Sequence, residues 1–188
     1  PALSWYLSMA EQKLNDRAMA APHRAVRVPS GCKTSVSHLV ESKWDQGKPY
    51  NSLCPKNSSG RNCVTGCVAT AMAQILYYHK YPTTGKGTNF TFFENKKYTV
   101  DYSQATYNFD DLLPDYSNGF SVTQKRAIAT LMYHCGVAAH MTYGIDVSGA
   151  YLYDAADGLV DNFGYYAQYY GYKDYPEPNN YDNAKWCE

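Results

Sequence analysis

The run Thr65-Gly66-Cys67-Val68-Ala69-Thr70-Ala71-Met72-Ala73-Gln74-Ile75-Leu76-Tyr77-Tyr78-His79 constrains this chain more than any other segment. Small and apolar side chains go nearly all the way round its helical projection, which suits a helix enclosed by the fold better than an amphipathic surface helix. Thr65 is placed to cap it, and Cys67 falls in its first turn. The apolar part, interrupted by Thr70 and Gln74, is too short to span a bilayer.

The flanking sequence supplies the other elements. Gly47, Pro49, Asn51, Pro55 and Ser58-Ser59-Gly60 mark a long irregular stretch ahead of the helix, and such loops inside domains usually carry function. Phe90-x-Phe92 and Tyr98-x-Val100-x-Tyr102 alternate around Glu94-Asn95-Lys96 and predict a β-hairpin. Ser121-Val-Thr-Gln124 is a capping box opening a helix with Ala127, Ile128, Leu131, Met132 and Cys135 on one face and Gly136 as its stop. Another helix is predicted from about Ala150 to Phe163, ended by Gly164, and then a Tyr-rich strand from Tyr165 to Tyr175. Near the start, a helix over residues 4–19, capped by Ser4, leads into a Pro-, Arg- and Ser-rich linker reaching about residue 34. With few strands and helices early and mid-chain, the expected class is α+β.

The 188 residues carry 17 Lys plus Arg against 17 Asp plus Glu, with no basic block. That balance offers no electrostatic basis for holding nucleic acid or an acidic membrane surface, so neither is an expected partner. A chain of this length can bury roughly 70% of the surface its unfolded form exposes, enough for a domain. Yet it stops within what reads as the first turns of a helix opened by Asn180, which suggests a piece of something larger. Six Cys, at 32, 54, 63, 67, 135 and 187, are too few for a disulfide scaffold, although a Cys54–Cys63 bridge could form in an exported protein. Cys63 and Cys67 with His79 or His134 fit no common zinc spacing, and neither a metal nor a cofactor is expected.

A thiol in the first turn of a helix meets unpaired backbone N–H groups and the positive end of the helix dipole, both of which favour an anion. Gly66 lets a substrate backbone approach closely. For an arbitrary Cys on an apolar helix, a small core residue is the plainer assignment. The long Gln46-to-Gly66 loop, needless for packing but suited to an oxyanion donor and substrate contacts, instead favours a nucleophile at Cys67.

Trp44-Asp-Gln-Gly-Lys-Pro-Tyr-Asn-Ser-Leu-Cys-Pro55, Cys63-Val-Thr-Gly-Cys-Val-Ala-Thr-Ala-Met-Ala-Gln-Ile75 and Tyr78-His-Lys-Tyr-Pro82 resemble the streptopain/interpain family of bacterial papain-like cysteine peptidases. Weaker similarity runs through Tyr107-Asn-Phe-Asp-Asp-Leu-Leu-Pro-Asp-Tyr116, Tyr143-Gly144, Ser148-Gly-Ala150 and Asn162-Phe-Gly-Tyr165, from about residue 36 to the end. The resemblance implies a papain-like α+β peptidase fold, here mainly its nucleophile-bearing half, acting on protein or peptide substrates. By position it implies Cys67 as nucleophile, Gln46 as an oxyanion-hole donor with backbone N–H at the nucleophile, and Val68 and the Ser148-Gly149 loop as cleft lining. Gly149 stands where the family's namesake has a Ser, so hydrogen bonding from that side chain is lost. Family enzymes are secreted as zymogens, and the resemblance therefore implies secretion. It also implies an inhibitory prodomain tail and linker over residues 1–28, containing Leu3-Ser-Trp-Tyr-Leu7, and the N-terminal part of the catalytic domain over residues 29–188.

A thiolate nucleophile needs a His to share its proton and later protonate the leaving amine. His79 lies twelve residues along the helix from Cys67, about 18 Å at 1.5 Å per residue. His23 sits in the linker, His38 ahead of Trp44, and His134 and His140 flank Gly136; none is convincing as the base. In the resembled family the His lies in a Gly-His-Ala-type segment well downstream, with a Trp-rich segment after it, and this chain ends before either. The expectation is a separate C-terminal chain of the same precursor bearing the His, or a fragment inactive alone. The rival is a binding or inhibitory module that kept the fold and lost the base. A glycan-binding surface built from the 20 Tyr rests only on composition, and strand and core positions with the phenol at the surface explain them more simply.

Overall fold

The structure, a computed structural model, describes residues 38–167. The predicted helix over 4–19, the linker after it, most of the Tyr165–Tyr175 strand and the turns after Asn180 lie outside the described residues. The elements are helix α1 (Cys67–His79), strands β1 (Thr88–Phe93) and β2 (Lys96–Asp101), and helices α2 (Val122–Ala138) and α3 (Leu152–Asp161). Short 3-10 turns occupy Tyr102–Gln104 and Phe109–Asp111.

Helix α2 is the centre of the packing, in contact with α1, α3 and both strands. Its start is the predicted capping box: Gln124 N–H donates to Ser121 Oγ at 3.1 Å, and Ser121 N–H donates to Gln124 Oε1 at 2.8 Å. Ile128, Leu131, Met132, Cys135 and Val137 are buried along its length, the four aliphatic and thioether side chains each contributing about 1.5–3 kcal/mol if fully removed from water. Gly136 does not stop the helix, which continues to Ala138. The residue is a glycine for packing: a Cβ there would collide with the Tyr143 hydroxyl.

The hairpin pairs antiparallel from Thr88↔Asp101 to Phe93↔Lys96, so Lys96 already belongs to β2 and the turn is only Glu94-Asn95. Both turn residues are left-handed, at φ 46° and 60°, which matches the twist that a two-residue hairpin connection requires. Helix α3 lies within its predicted range and is followed by Gly164 at φ 71°. Residues 165–167, the described start of the Tyr-rich segment, are not in a strand.

Helix α1 is enclosed on one side only. Ala69, Thr70, Met72, Ala73 and Leu76 are buried, whereas Cys67, Ala71, Ile75 and Tyr78 are exposed along one stripe. Small residues carry little sidedness in their chemistry, so the all-round apolar pattern did not reveal which face meets solvent. At the other end Lys80 turns left-handed at φ 51°, and Tyr81 N–H donates back to the Leu76 carbonyl at 3.3 Å.

Several tyrosines bury their phenols, contrary to the expectation that the hydroxyls would sit at the surface. Tyr102 is fully buried and its Oη donates to the His134 carbonyl at 2.8 Å, while Tyr107 Oη lies 2.8 Å from His134 Nδ1. A buried phenol is tolerated when it finds such a partner. Burial among these rings pushes His134 down from 6.5 to about 4, so the imidazole is neutral in the folded protein at neutral pH. On acidification the unfolded chain takes up this proton before the folded one does. His134 therefore contributes stability that is fully present above about pH 6.5 and is lost as pH falls towards about 4. Over that window the loss should be on the order of 3 kcal/mol, and urea unfolding of a His134→Gln variant should show a shallower decline than wild type.

Candidate active site

The approach to α1 is a short extended segment bonded on both edges. Towards the preceding loop, Asn51 Nδ2 donates to the Cys63 carbonyl at 3.0 Å and Cys63 N–H donates to the Pro55 carbonyl at 2.8 Å. Thr65 N–H donates to the Gln46 carbonyl at 3.1 Å. Towards the other side, Val64 N–H donates to the Gly144 carbonyl at 3.1 Å and Ser148 Oγ donates to the Val64 carbonyl at 2.7 Å. Residues 63–65 are thus a strut between two loops.

Thr65 is not the cap of α1. It is fully buried, its Oγ1 lies 3.2 Å from Thr70 Oγ1, and Thr70 Oγ1 donates to the Gly66 carbonyl at 3.0 Å. The cap position belongs to Gly66, at φ 87° and ψ 142°, a backbone region nearly closed to residues with side chains. A Cβ there would also stand 2.7 Å from the Met141 thioether sulfur and 3.2 Å from the Ser148 carbonyl. Cys67 keeps its predicted place in the first turn, with its side chain exposed. No side chain caps this helix, so the backbone N–H of Cys67 and the positive end of the dipole stay open to an anion.

Gln46 reaches the same region by a different route. Gln74 Nε2 donates to the Ser42 carbonyl at 3.0 Å, the Trp44 ring packs on Tyr77 at 4.9 Å, and Trp44 Nε1 donates to the Leu113 carbonyl at 2.8 Å. The leading segment is fastened beside the later turns of α1 at Ser42 and beside its approach at Gln46. Gln46 is half-buried, and no hydrogen bond with a described residue engages its side-chain amide.

Val68, the second residue of α1, is half-buried and packs on the core. Gly149 is paired with Thr142 in both directions, at 2.8 and 3.1 Å, and a Cβ at Gly149 would meet nothing within 4 Å. Ser148 is buried, and its hydroxyl is engaged with backbone groups of Val64 and Gly144. The two loops carrying Gln46 and Ser148-Gly149 therefore converge on the strut that leads to Cys67. Sequence reasoning missed Val64, Gly144 and Met141, the residues that join them, because contacts across some 80 positions leave no local periodicity.

The described histidines are placed elsewhere. His134 is half-buried against Tyr107, and His140, at φ 48°, has Nδ1 3.0 Å from the Phe90 carbonyl. His79 closes α1 with its ring against Tyr78 and Tyr165, and His38 is exposed ahead of Trp44. His23 lies outside the described residues. Among the described residues no group of His, Cys, Asp and Glu is arranged to hold a metal, and no helix is long and apolar enough to cross a membrane.

The four described cysteines are free thiols, so the Cys54–Cys63 bridge is not formed. Burial pushes Cys54 up to about 12 and Cys63 up to about 11, and raises Cys135 as well. Cys67 alone among the four is exposed. Iodoacetamide should therefore modify Cys67 in the native protein while Cys54, Cys63 and Cys135 react only after unfolding; peptide mapping that finds equal modification of all four would contradict this arrangement. Gly66→Ala should cost about 1–3 kcal/mol or more in urea unfolding, through backbone strain and overlap with Met141.

A profile of the Peptidase C10 family matches residues 44–186. Streptopain of Streptococcus pyogenes is 37% identical over 150 residues, covering 69% of this chain and 38% of that protein. The thiol protease/hemagglutinin PrtT of Porphyromonas gingivalis is 32% identical over 156 residues, covering 77% of this chain and 18% of that protein. Among solved structures, active wild-type interpain A cysteine protease of Prevotella intermedia matches with a TM-score of 0.65 and 41% identity, over 69% of this chain and 55% of that one. A prointerpain A fragment with a Cys-to-Ala mutation matches with a TM-score of 0.67 and 35% identity, over 87% of this chain and 55% of the fragment. The chain spans about half the length of these solved structures and less of the curated relatives.

Proposed function

Because this chain belongs to the Peptidase C10 family and has its papain-like α+β fold, we propose that it carries the nucleophile of a cysteine endopeptidase acting on proteins or peptides. The observation that carries the proposal is the exposed Cys67 at the start of α1, with Gln46 bonded through its backbone carbonyl to Thr65, two residues upstream, and its side-chain amide bonded to no described residue. In this reading the Cys67 thiolate attacks the scissile carbonyl carbon and a tetrahedral oxyanion forms. The Cys67 N–H and the Gln46 side-chain amide receive that oxyanion. Collapse to a thioester expels the amine, which takes its proton from a histidine, and water then releases the acid and regenerates the thiol.

The histidine is proposed to come from outside the described residues, on a C-terminal portion of the same precursor, since the described histidines are half-buried, bonded or distant. Val68 and the 148–149 loop are proposed to line the cleft. Residues 1–28 are proposed as the tail of an inhibitory prodomain with its linker, residues 29–188 as part of the catalytic domain, and the whole as a secreted zymogen, all on the family resemblance.

In the mature protein, Cys67→Ala should abolish hydrolysis of a fluorogenic peptide. Gln46→Ala should lower kcat by roughly 10²–10³ with a smaller effect on KM, the usual result of losing one oxyanion donor. Full activity in the Cys67 variant would end the proposal, and a folded wild-type protein that binds peptides without cleaving them would favour the binding-module alternative.

A further inference from the structure

We propose that Ser148 is a positioning residue that clips one wall of the cleft to the strut carrying Cys67; this rests on the peptidase reading above. Resemblance by position assigned Ser148 to substrate contact. Its geometry argues for something else. The side chain is only 5% exposed, its Oγ donates to the Val64 carbonyl at 2.7 Å, and it accepts from Gly144 N–H at 3.0 Å. A hydroxyl has one proton to give, and of the two carbonyls in reach that of Val64, at 2.7 Å, lies nearer than that of Gly144, at 3.2 Å. Little of this group remains for a ligand.

The clip is reciprocal. Val64 N–H donates to the Gly144 carbonyl, so both main-chain polar groups of Val64 face the 144–148 loop. The next residue, Gly149, is locked onto Thr142 by two backbone bonds, and Thr142 follows Met141, whose thioether lies beneath Gly66. The base of the loop is thereby held at both ends while its tip stays in solvent, with Val147 80% exposed. The buried hydroxyl is thus the side-chain half of a two-bond clip, the Val64 N–H to Gly144 carbonyl bond being the other half, that fixes the 144–149 wall relative to Cys67. Removing that hydroxyl loosens the wall, which keeps only its backbone bonds, and leaves the nucleophile, held by Gly66 and Gln46, in place.

The test is Ser148→Ala in the mature protein, read with two thiol reagents and by hydrogen exchange. Iodoacetamide, which needs only the thiol, should alkylate Cys67 at nearly the wild-type rate. A peptidyl epoxysuccinate, which must lie along the cleft, should react roughly tenfold more slowly, the size of effect that one net hydrogen bond contributes. Exchange of the Gly144 amide should quicken by at least a similar factor. Equal slowing of both reagents would reduce Ser148 to a purely structural residue, and unchanged exchange at Gly144 would remove the clip; either result overturns the proposal. If the wild-type protein itself shows no preference for the peptidyl reagent, the peptidase reading fails, and the Gly144 exchange rate alone decides the clip.

Discussion

The site depends on three residues of extended backbone whose edges are bonded to different parts of the chain. Through Thr65 and Cys63 the strut holds the loop that begins at Gln46, and through Val64 it holds the loop at Gly144 to Ser148. Buried backbone groups of this kind have to be paired, and pairing them here also fixes what lies on either side of Cys67. The strut ends at Gly66, whose left-handed backbone turns the chain into α1 with no side chain over the first N–H groups. An exposed thiol and open backbone donors follow from that one turn.

The rest of the fold keeps this arrangement stiff. Helix α2 supplies a buried face to α1, α3 and the hairpin, and the phenols of Tyr102 and Tyr107 meet His134 inside it. Met141, just beyond the end of α2, reaches under Gly66, so the chain leaving the core helix floors the site. Core and site share atoms, and a disturbance in one is felt in the other because protein interiors are close-packed.

Much of the element pattern was legible from local signals. The capping box at Ser121, the hairpin and the loop from Gln46 to Gly66 depend on neighbouring residues, and each is present, the hairpin with its turn shortened to Glu94-Asn95 and its second strand ending at Asp101. The local signals that failed did so for tertiary reasons. Gly136 looked like a helix stop, but the Tyr143 hydroxyl needs its space within α2. Thr65 looked like a cap, but its hydroxyl turns inward to Thr70 while Gly66 takes the cap position. The Ala-rich run of α1 looked enclosed, because methyl groups fit a core and a surface equally well.

The sequence by itself determined that Cys67 lies in the first turn of a helix, that a long loop precedes it, and, through its motif, which family the chain belongs to. These are properties of short spans, where backbone preference and side-chain size act directly. Only the tertiary structure decided that Cys67 faces solvent while Cys54, Cys63 and Cys135 are buried, and that Ser148 turns its hydroxyl to Val64 rather than outward. Those outcomes follow from pairing backbone groups and filling space between segments distant in the chain, and no local run of residues records which partners will meet.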